Sequence, residues 1–192
     1  MFVEQARERT RTLGSIRIDE GDACSLPYPD GSFDAAHCER VLMHLADPGE
    51  ALNEMRRVVR PGGRIVAAEP DWASMVIDST EHEIMRLLMQ QAISRIRQPR
   101  VGRELNRRLA AAGLVDRRIE VVPVLSLDYA ELVTYGLHLS EALDVLAAEG
   151  RLDREQGQAV LDELADANTN GTFCAFAGSF VAYGRSPIPK AE

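Results

Sequence analysis

No apolar run in the 192 residues approaches the roughly 20 that cross a bilayer, and the first ten form a charged helical pattern, not a secretory core. A soluble, cytoplasmic protein outside the membrane is the expectation. Cysteine is scarce: Cys24, Cys38 and Cys174 are odd in number and none falls in a CxxC pair. That excludes a disulfide framework and argues against a structural zinc site, so reduced thiols and no metal are expected. Basic charge is in deficit, with 22 Lys plus Arg against 30 Asp plus Glu and a net charge of −8. Because the arginines are interspersed with acids, nothing attracts a phosphate backbone, and nucleic acid is not an expected partner. The 14 glycines contain no GxGxG, so the dinucleotide fingerprint of a dehydrogenase is missing.

The length suits one domain with a sizeable core. Residues 2–13 read as a short helix, and "SIRIDEGDA" then alternates Ile16 and Ile18 with polar neighbours, which predicts a strand over 15–21. After Pro27 and Pro29, "FDAAHCE" is a brief apolar strand. The best-marked helix follows. In "DPGE", Asp47 suits the cap, Pro48 the first helical position, and Glu50 the second carboxylate of a capping box. Leu52, Met55, Val58 and Val59 recur at helical spacing, "PGG" stops the helix, and "RIVAAE" reads as a buried strand. Thr80 with Glu83 predicts a capped helix to about residue 97, and a second helix closes at Gly113. A strand at "VDRRIEVVPVLSL", helices at about 128–149 and 153–167, and a final strand near 172–184 complete the chain.

The stretch "GDACSLPYPDGSFDAAHCERVLMHLADPGEALNEMRRVVRPGGRIVAAEPDW" resembles the central part of class I S-adenosylmethionine-dependent methyltransferases, nearest to the small-molecule branch of ubiquinone and menaquinone biosynthesis. The resemblance is close over about residues 1–72 and loose beyond. It implies an α/β fold, a Rossmann-like methyltransferase sheet incomplete at the amino terminus with its first two strands missing, plus a helical insertion and carboxyl-terminal strands. The expected organisation is one domain over 1–185, with a core at 15–72, a lid or insertion at about 73–112 and a carboxyl-terminal part at 113–185. A loose tail follows at 186–192.

The resemblance also implies S-adenosylmethionine as cofactor and a small-molecule methyl acceptor as substrate, through an O, N or C nucleophile. The resemblance assigns Asp22 to accept from the adenine amino group and the Ala23 amide to donate to the ring, while Cys38, Glu39, Arg40 and Val41 would border the methionine part and the adenine. Methyl transfer draws on positioning and desolvation, so a general base is optional; the candidates are His44, Glu69 and Asp71. Against these stand plainer roles as a packing residue before a cap and as solvated loop carboxylates. Trp72, the only tryptophan, is a candidate wall of the substrate pocket or a core ring. The apolar residues Ile84, Leu87, Leu88, Ile93 and Ile96 belong to the core or to a lid that selects the acceptor. His82 and His138 have no partners at ligand spacing.

The family's glycine-rich loop and ribose-binding acid have no counterpart in these residues. Three accounts stand open: a longer protein of which this is the later part, a remnant acting as a non-catalytic metabolite-binding or interaction module, or strands supplied by another polypeptide. The first predicts weak cofactor binding by this chain alone. A homodimer is also left open.

Overall fold

The computed structural model describes residues 2–134 and 136–189. Helix α1 (Phe2–Thr10) stands at the front, tied to the following coil by Arg7, whose guanidinium donates to the Ile18 carbonyl. Strand β1 (Phe33–Glu39) leads through a 3-10 turn (Leu42–His44) into α2 (Pro48–Val58), and β2 (Val59–Ile77) returns parallel to β1. Helices α3 (His82–Ile93) and α4 (Val101–Ala111) precede β3 (Val115–Ser126). Then come α5 (Tyr129–Thr134), α6 (Leu139–Ala148), α7 (Arg154–Thr169) and β4 (Ala175–Arg185). The sheet runs β1-β2-β4-β3, with β4 antiparallel to both neighbours.

Helix α2 forms as its cap predicts. The Asp47 carboxylate accepts from the Gly49 amide at 2.7 Å, Pro48 occupies the first turn, and Ala51, Leu52, Met55 and Val58 are buried. Against β2, α2 and α4 enclose one core around Leu52, Ile65, Leu105 and Leu109, all fully buried. Gly63 lets β2 approach β1, because a Cβ there would lie 2.5 Å from the Asp34 carbonyl oxygen. The same core continues between α3, α6 and α7 around Leu88, Leu143, Leu146 and Leu164. Burying each such leucine stabilises by about 1.5–3 kcal/mol, so the helices past the sheet extend its core.

Several local expectations change. Residues 15–21 form no strand, and Ile16 is 49% exposed; only an isolated bridge pairs Asp22 with Ser25. The cause is pairing. Among the described residues no strand lies beyond β1, and alternation alone cannot satisfy a strand's backbone. The Thr80–Glu83 box is also replaced: the carboxylate of Glu163 on α7 accepts from the Thr80 amide and the Ser79 hydroxyl. The long helix expected at 128–149 is divided into α5 and α6 around Gly136, whose φ is +98°. The expected insertion divides too, since α3 joins α6 and α7 whereas α4 lies on the sheet. The start of the tail is anchored: Ser186 exchanges backbone hydrogen bonds with Gly62 and Gly63, and residues 190–192 lie outside the described ones.

The proline hinge is held by a latch that no local motif announces. Arg57 of α2 donates to the carbonyls of Leu26 and Tyr28 and to Glu54, while Glu54 accepts from the Leu26 amide at 2.8 Å. These bonds hold the Glu54 carboxyl down at about 2.

Candidate functional site

Open α/β sheets bind ligands beyond the carboxyl ends of their parallel strands. Here β1 ends in Glu39 and Arg40, and β2 passes through Ala68, Pro70 and Trp72 at the same level. A groove of about 390 Å³ opens there, closed on its far side by Leu125 and Leu132 from β3 and α5. Its wall is mostly apolar, with Glu39 and Arg40 after β1 and Glu131 of α5 as its charged members. Arg40 has a φ of +54°, a left-handed conformation that non-glycine residues adopt rarely and at a cost of about 1–3 kcal/mol.

Glu69 makes that bend possible. It is fully buried, and its carboxylate accepts from the amides of Val41 at 2.9 Å, Leu42 at 2.7 Å and Met43 at 3.4 Å. The Arg40 amide donates to the Ala68 carbonyl beside it. One side chain of β2 thus gathers the donors of the turn after β1 and fixes how Glu39 and Arg40 enter the groove. Burial pushes the Glu69 carboxyl up, outweighing the three amides that favour its charge.

The candidate residues separate into distinct settings. Glu39, Arg40 and Trp72 meet in the groove. Cys38 alternates away from Glu39 toward the helix-covered face, where burial and the Glu69 charge push its thiol up to about 12. Val41 serves through its amide, and His44 is exposed at the end of the 3-10 turn. Asp71 is 1% exposed and paired with Arg103 of α4, which locks the helix to the strand. Glu69 and Asp71, weighed as candidate bases or as solvated loop carboxylates, are both buried and engaged inside the fold. Asp22 and Ala23 do not line the groove. The Asp22 carboxylate accepts from the Cys24 amide at 2.9 Å and caps its own turn.

Trp72 is 6% exposed, and its Nε1–H is the one buried side-chain polar atom without a partner among the described residues. An unmet buried donor costs about 1–3 kcal/mol, so the ring is held at this position by packing and not by a hydrogen bond. Sequence reasoning missed Met75, Leu125 and Leu132, the apolar residues that finish the groove. Only their alternation marks them, and alternation does not say which face becomes a pocket wall.

The chemistry of S-adenosylmethionine can be set against these groups. Its amino-acid end carries an ammonium and a carboxylate, complementary to Glu39 and Arg40. Its adenine needs a carboxylate acceptor and an amide; Asp22 keeps lone pairs beyond the one it spends on Cys24. Both ends therefore fit by donor and acceptor type. Among the described residues, no group of three or more His, Cys, Asp or Glu is arranged to hold a metal ion, and no helix is long and apolar enough to cross a membrane.

The family model described as "Methyltransferase domain" matches residues 1–67. An uncharacterized 37.1 kDa protein of a Streptomyces fradiae transposon is 41% identical over 166 residues, covering 85% of this chain and 48% of that protein. The demethylmenaquinone methyltransferase of Deinococcus radiodurans is 46% identical over 83 residues, covering 43% of this chain and 33% of the enzyme. The chain thus spans about half the length, or less, of these curated relatives. The crystal structure of a putative methyltransferase from Bacillus halodurans superposes with a TM-score of 0.59 at 14% identity, covering 97% of this chain and 79% of that one, a likeness of fold. The matched segment and the quinone-methylating relative agree with the sheet's likeness of fold: residues 1–67 carry a methyltransferase-domain match, and the chain resembles the class I S-adenosylmethionine-dependent methyltransferases.

Proposed function

We propose that the protein transfers a methyl group to a small, largely apolar acceptor bound in the groove at the carboxyl ends of β1 and β2. The observation that carries this reading is the meeting of Glu39, Arg40 and Trp72 in that one groove. S-adenosylmethionine, when bound, supplies an electrophilic methyl group on a sulfonium. Glu39 and Arg40 hold its amino-acid end, and Asp22 with the Ala23 amide receives the adenine. Glu69 keeps the 41–43 turn in place. The apolar wall, Trp72 included, excludes water and packs against the acceptor, which favours displacement at a cationic centre. Glu69 and Asp71, already engaged, act as positioning groups, and His44, exposed and outside the groove lining, is not needed for a displacement that relies on positioning.

Calorimetric titration with S-adenosylmethionine, followed by transfer of a labelled methyl group to a panel of phenols and enols, tests the reading. Arg40→Gln and Glu39→Gln should each weaken cofactor binding about tenfold, the loss of one charge-assisted pair. Trp72→Phe should weaken the acceptor alone. If both charge variants bind the cofactor like the parent, the groove is not its site.

One observation favours a second reading, a metabolite-binding module without catalysis. Residues 15–21 form no strand and Asp22 lies outside the groove, so the proposed adenine end is not tied to the methionine end by the sheet. That module would bind an apolar metabolite in the groove without cofactor and transfer no methyl group. The same titrations separate the two.

A further inference from the structure

At the opposite end of the sheet a second concavity, about 680 Å³, carries a charge pattern that the methyl-transfer reading does not use. Register builds it. In the β2–β4 ladder Arg64 lies directly opposite Arg185, and Val66 opposite Tyr183; in the β3–β4 ladder Arg118 lies opposite that same Tyr183. Directly paired residues point to one face, so three guanidiniums and a phenol converge there. Like charges directly opposite across strands destabilise a sheet. A sheet otherwise stabilised by its pairing thus keeps an unfavourable contact at this spot.

The nearby groups do not neutralise it. Arg185 donates to the Gly62 carbonyl, which accepts a bond without supplying charge, and the Tyr183 hydroxyl lies 3.4 Å from the Glu120 carboxylate, along β3 from the groove. Arg64 and Arg118 make no hydrogen bond or ion pair among the described residues, and both are exposed. Asp116 is the only carboxylate lining the concavity, and it sits where the β3 ladder slips, with a φ of +51°. Three arginines line it against one aspartate, with the Glu120 carboxylate held at the rim by Tyr183, so positive charge still predominates in a protein whose overall charge is −8.

We propose that this concavity binds a phosphate dianion or the phosphate of a small phosphorylated molecule. A guanidinium presents a planar fork of donors that matches phosphate oxygens two at a time, and the excess of arginine over carboxylate there favours an anion. Binding there relieves the opposed pair Arg64 and Arg185 by placing negative charge between them. The site shares no lining residue with the acceptor groove but adjoins it: Val66 and Ala68, on one face of β2, stand about 7 Å apart at the usual rise, and Arg64 and Pro70 about 20 Å. The inference does not depend on methyl transfer.

Inorganic phosphate is the probe, titrated at constant ionic strength against chloride, with melting temperature and isothermal calorimetry as readouts. Phosphate should raise the melting temperature saturably where chloride does not, and more at pH 8 than at pH 5.5 because the dianion is the ligand. Arg64→Gln and Arg118→Gln should each weaken phosphate at least fivefold. Both positions are exposed, so the variants should fold, and Arg64→Gln should melt higher than the parent in chloride because the opposed charges are gone. Trp72→Phe should leave phosphate binding unchanged. Equal melting curves in phosphate and chloride, or undiminished affinity in both arginine variants, would overturn the proposal.

Discussion

Replacement of Glu69 is the sharpest probe of how the site is built. In the parent its two oxygens accept three backbone amides, the two shortest bonds converging on one oxygen. Glu69→Ala leaves those donors buried with no acceptor. At about 1–3 kcal/mol for each unmet group, less what water regains by entering the space, the expected loss is about 3–5 kcal/mol. Glu69→Gln keeps one oxygen for Val41 and Leu42 but turns an amide toward Met43 and gives up the charge; about 1–2 kcal/mol is expected. For a chain of this length that is a fall in melting temperature of roughly 10 °C for alanine and a few degrees for glutamine. Urea unfolding of both variants reads the difference. An alanine variant within 1 kcal/mol of the parent would refute the idea that this carboxylate holds the turn.

The pH dependence adds a signed test of the same residue. Burial raises the folded-state value of Glu69 above its ordinary 4.5, so the folded protein retains a proton that the unfolded chain gives up. Its contribution is therefore full below about pH 4.5 and is lost as pH rises through the raised value. Glu69→Gln should remove that slope, and a slope of opposite sign in the parent-minus-variant difference would show that the three amides outweigh burial.

Other expectations follow from the packing. Gly102→Ala places a Cβ 2.8 Å from the Glu69 carbonyl oxygen and 3.0 Å from the carbonyl carbon of Pro70, so urea unfolding should show a loss of about 1–3 kcal/mol. Arg103→Met leaves Asp71 buried without its cation; because Arg103 is itself half-exposed, the cost should be about 2 kcal/mol, below that of a fully buried pair, and Asp71→Asn in the same background should recover part of it. The Glu54 latch works in the opposite pH sense from Glu69. Its folded value is lowered to about 2, so its hold on the hinge is present above pH 4.5 and lost as pH falls toward 2. Hydrogen exchange at the Leu26 amide should accelerate across that window in the parent and be fast throughout in Glu54→Gln. An amide equally protected in both would show that the hinge is held by something else.

Much of this was legible in order. Asp47, Pro48 and the apolar spacing after them are local signals whose physics lies within a few residues, and α2 forms where they place it. The segment at 33–39 and the end of α4 at Gly113 are equally local. Residues 15–21 were misread because alternation describes one strand's side chains, while a strand exists only if a neighbour takes its backbone groups. The Thr80 cap was misread because Glu163, 83 residues away, competes for the same amide.

The sequence by itself determined the family resemblance, the helix that separates the two parallel strands, and the residue types that carry charge after each strand. Those follow from spacing and local capping, which act within a turn or two of the chain. Tertiary structure decided which charges remain available. Glu69 and Asp71 lie two residues apart on one strand face, yet one gathers three amides and the other an arginine, because the 3-10 turn and the first turn of α4 pack over that face at different levels. Arg64 and Arg185 oppose each other only because β4 returns antiparallel in one register out of many. Register and burial join residues more than a hundred positions apart, and no local pattern carries that information.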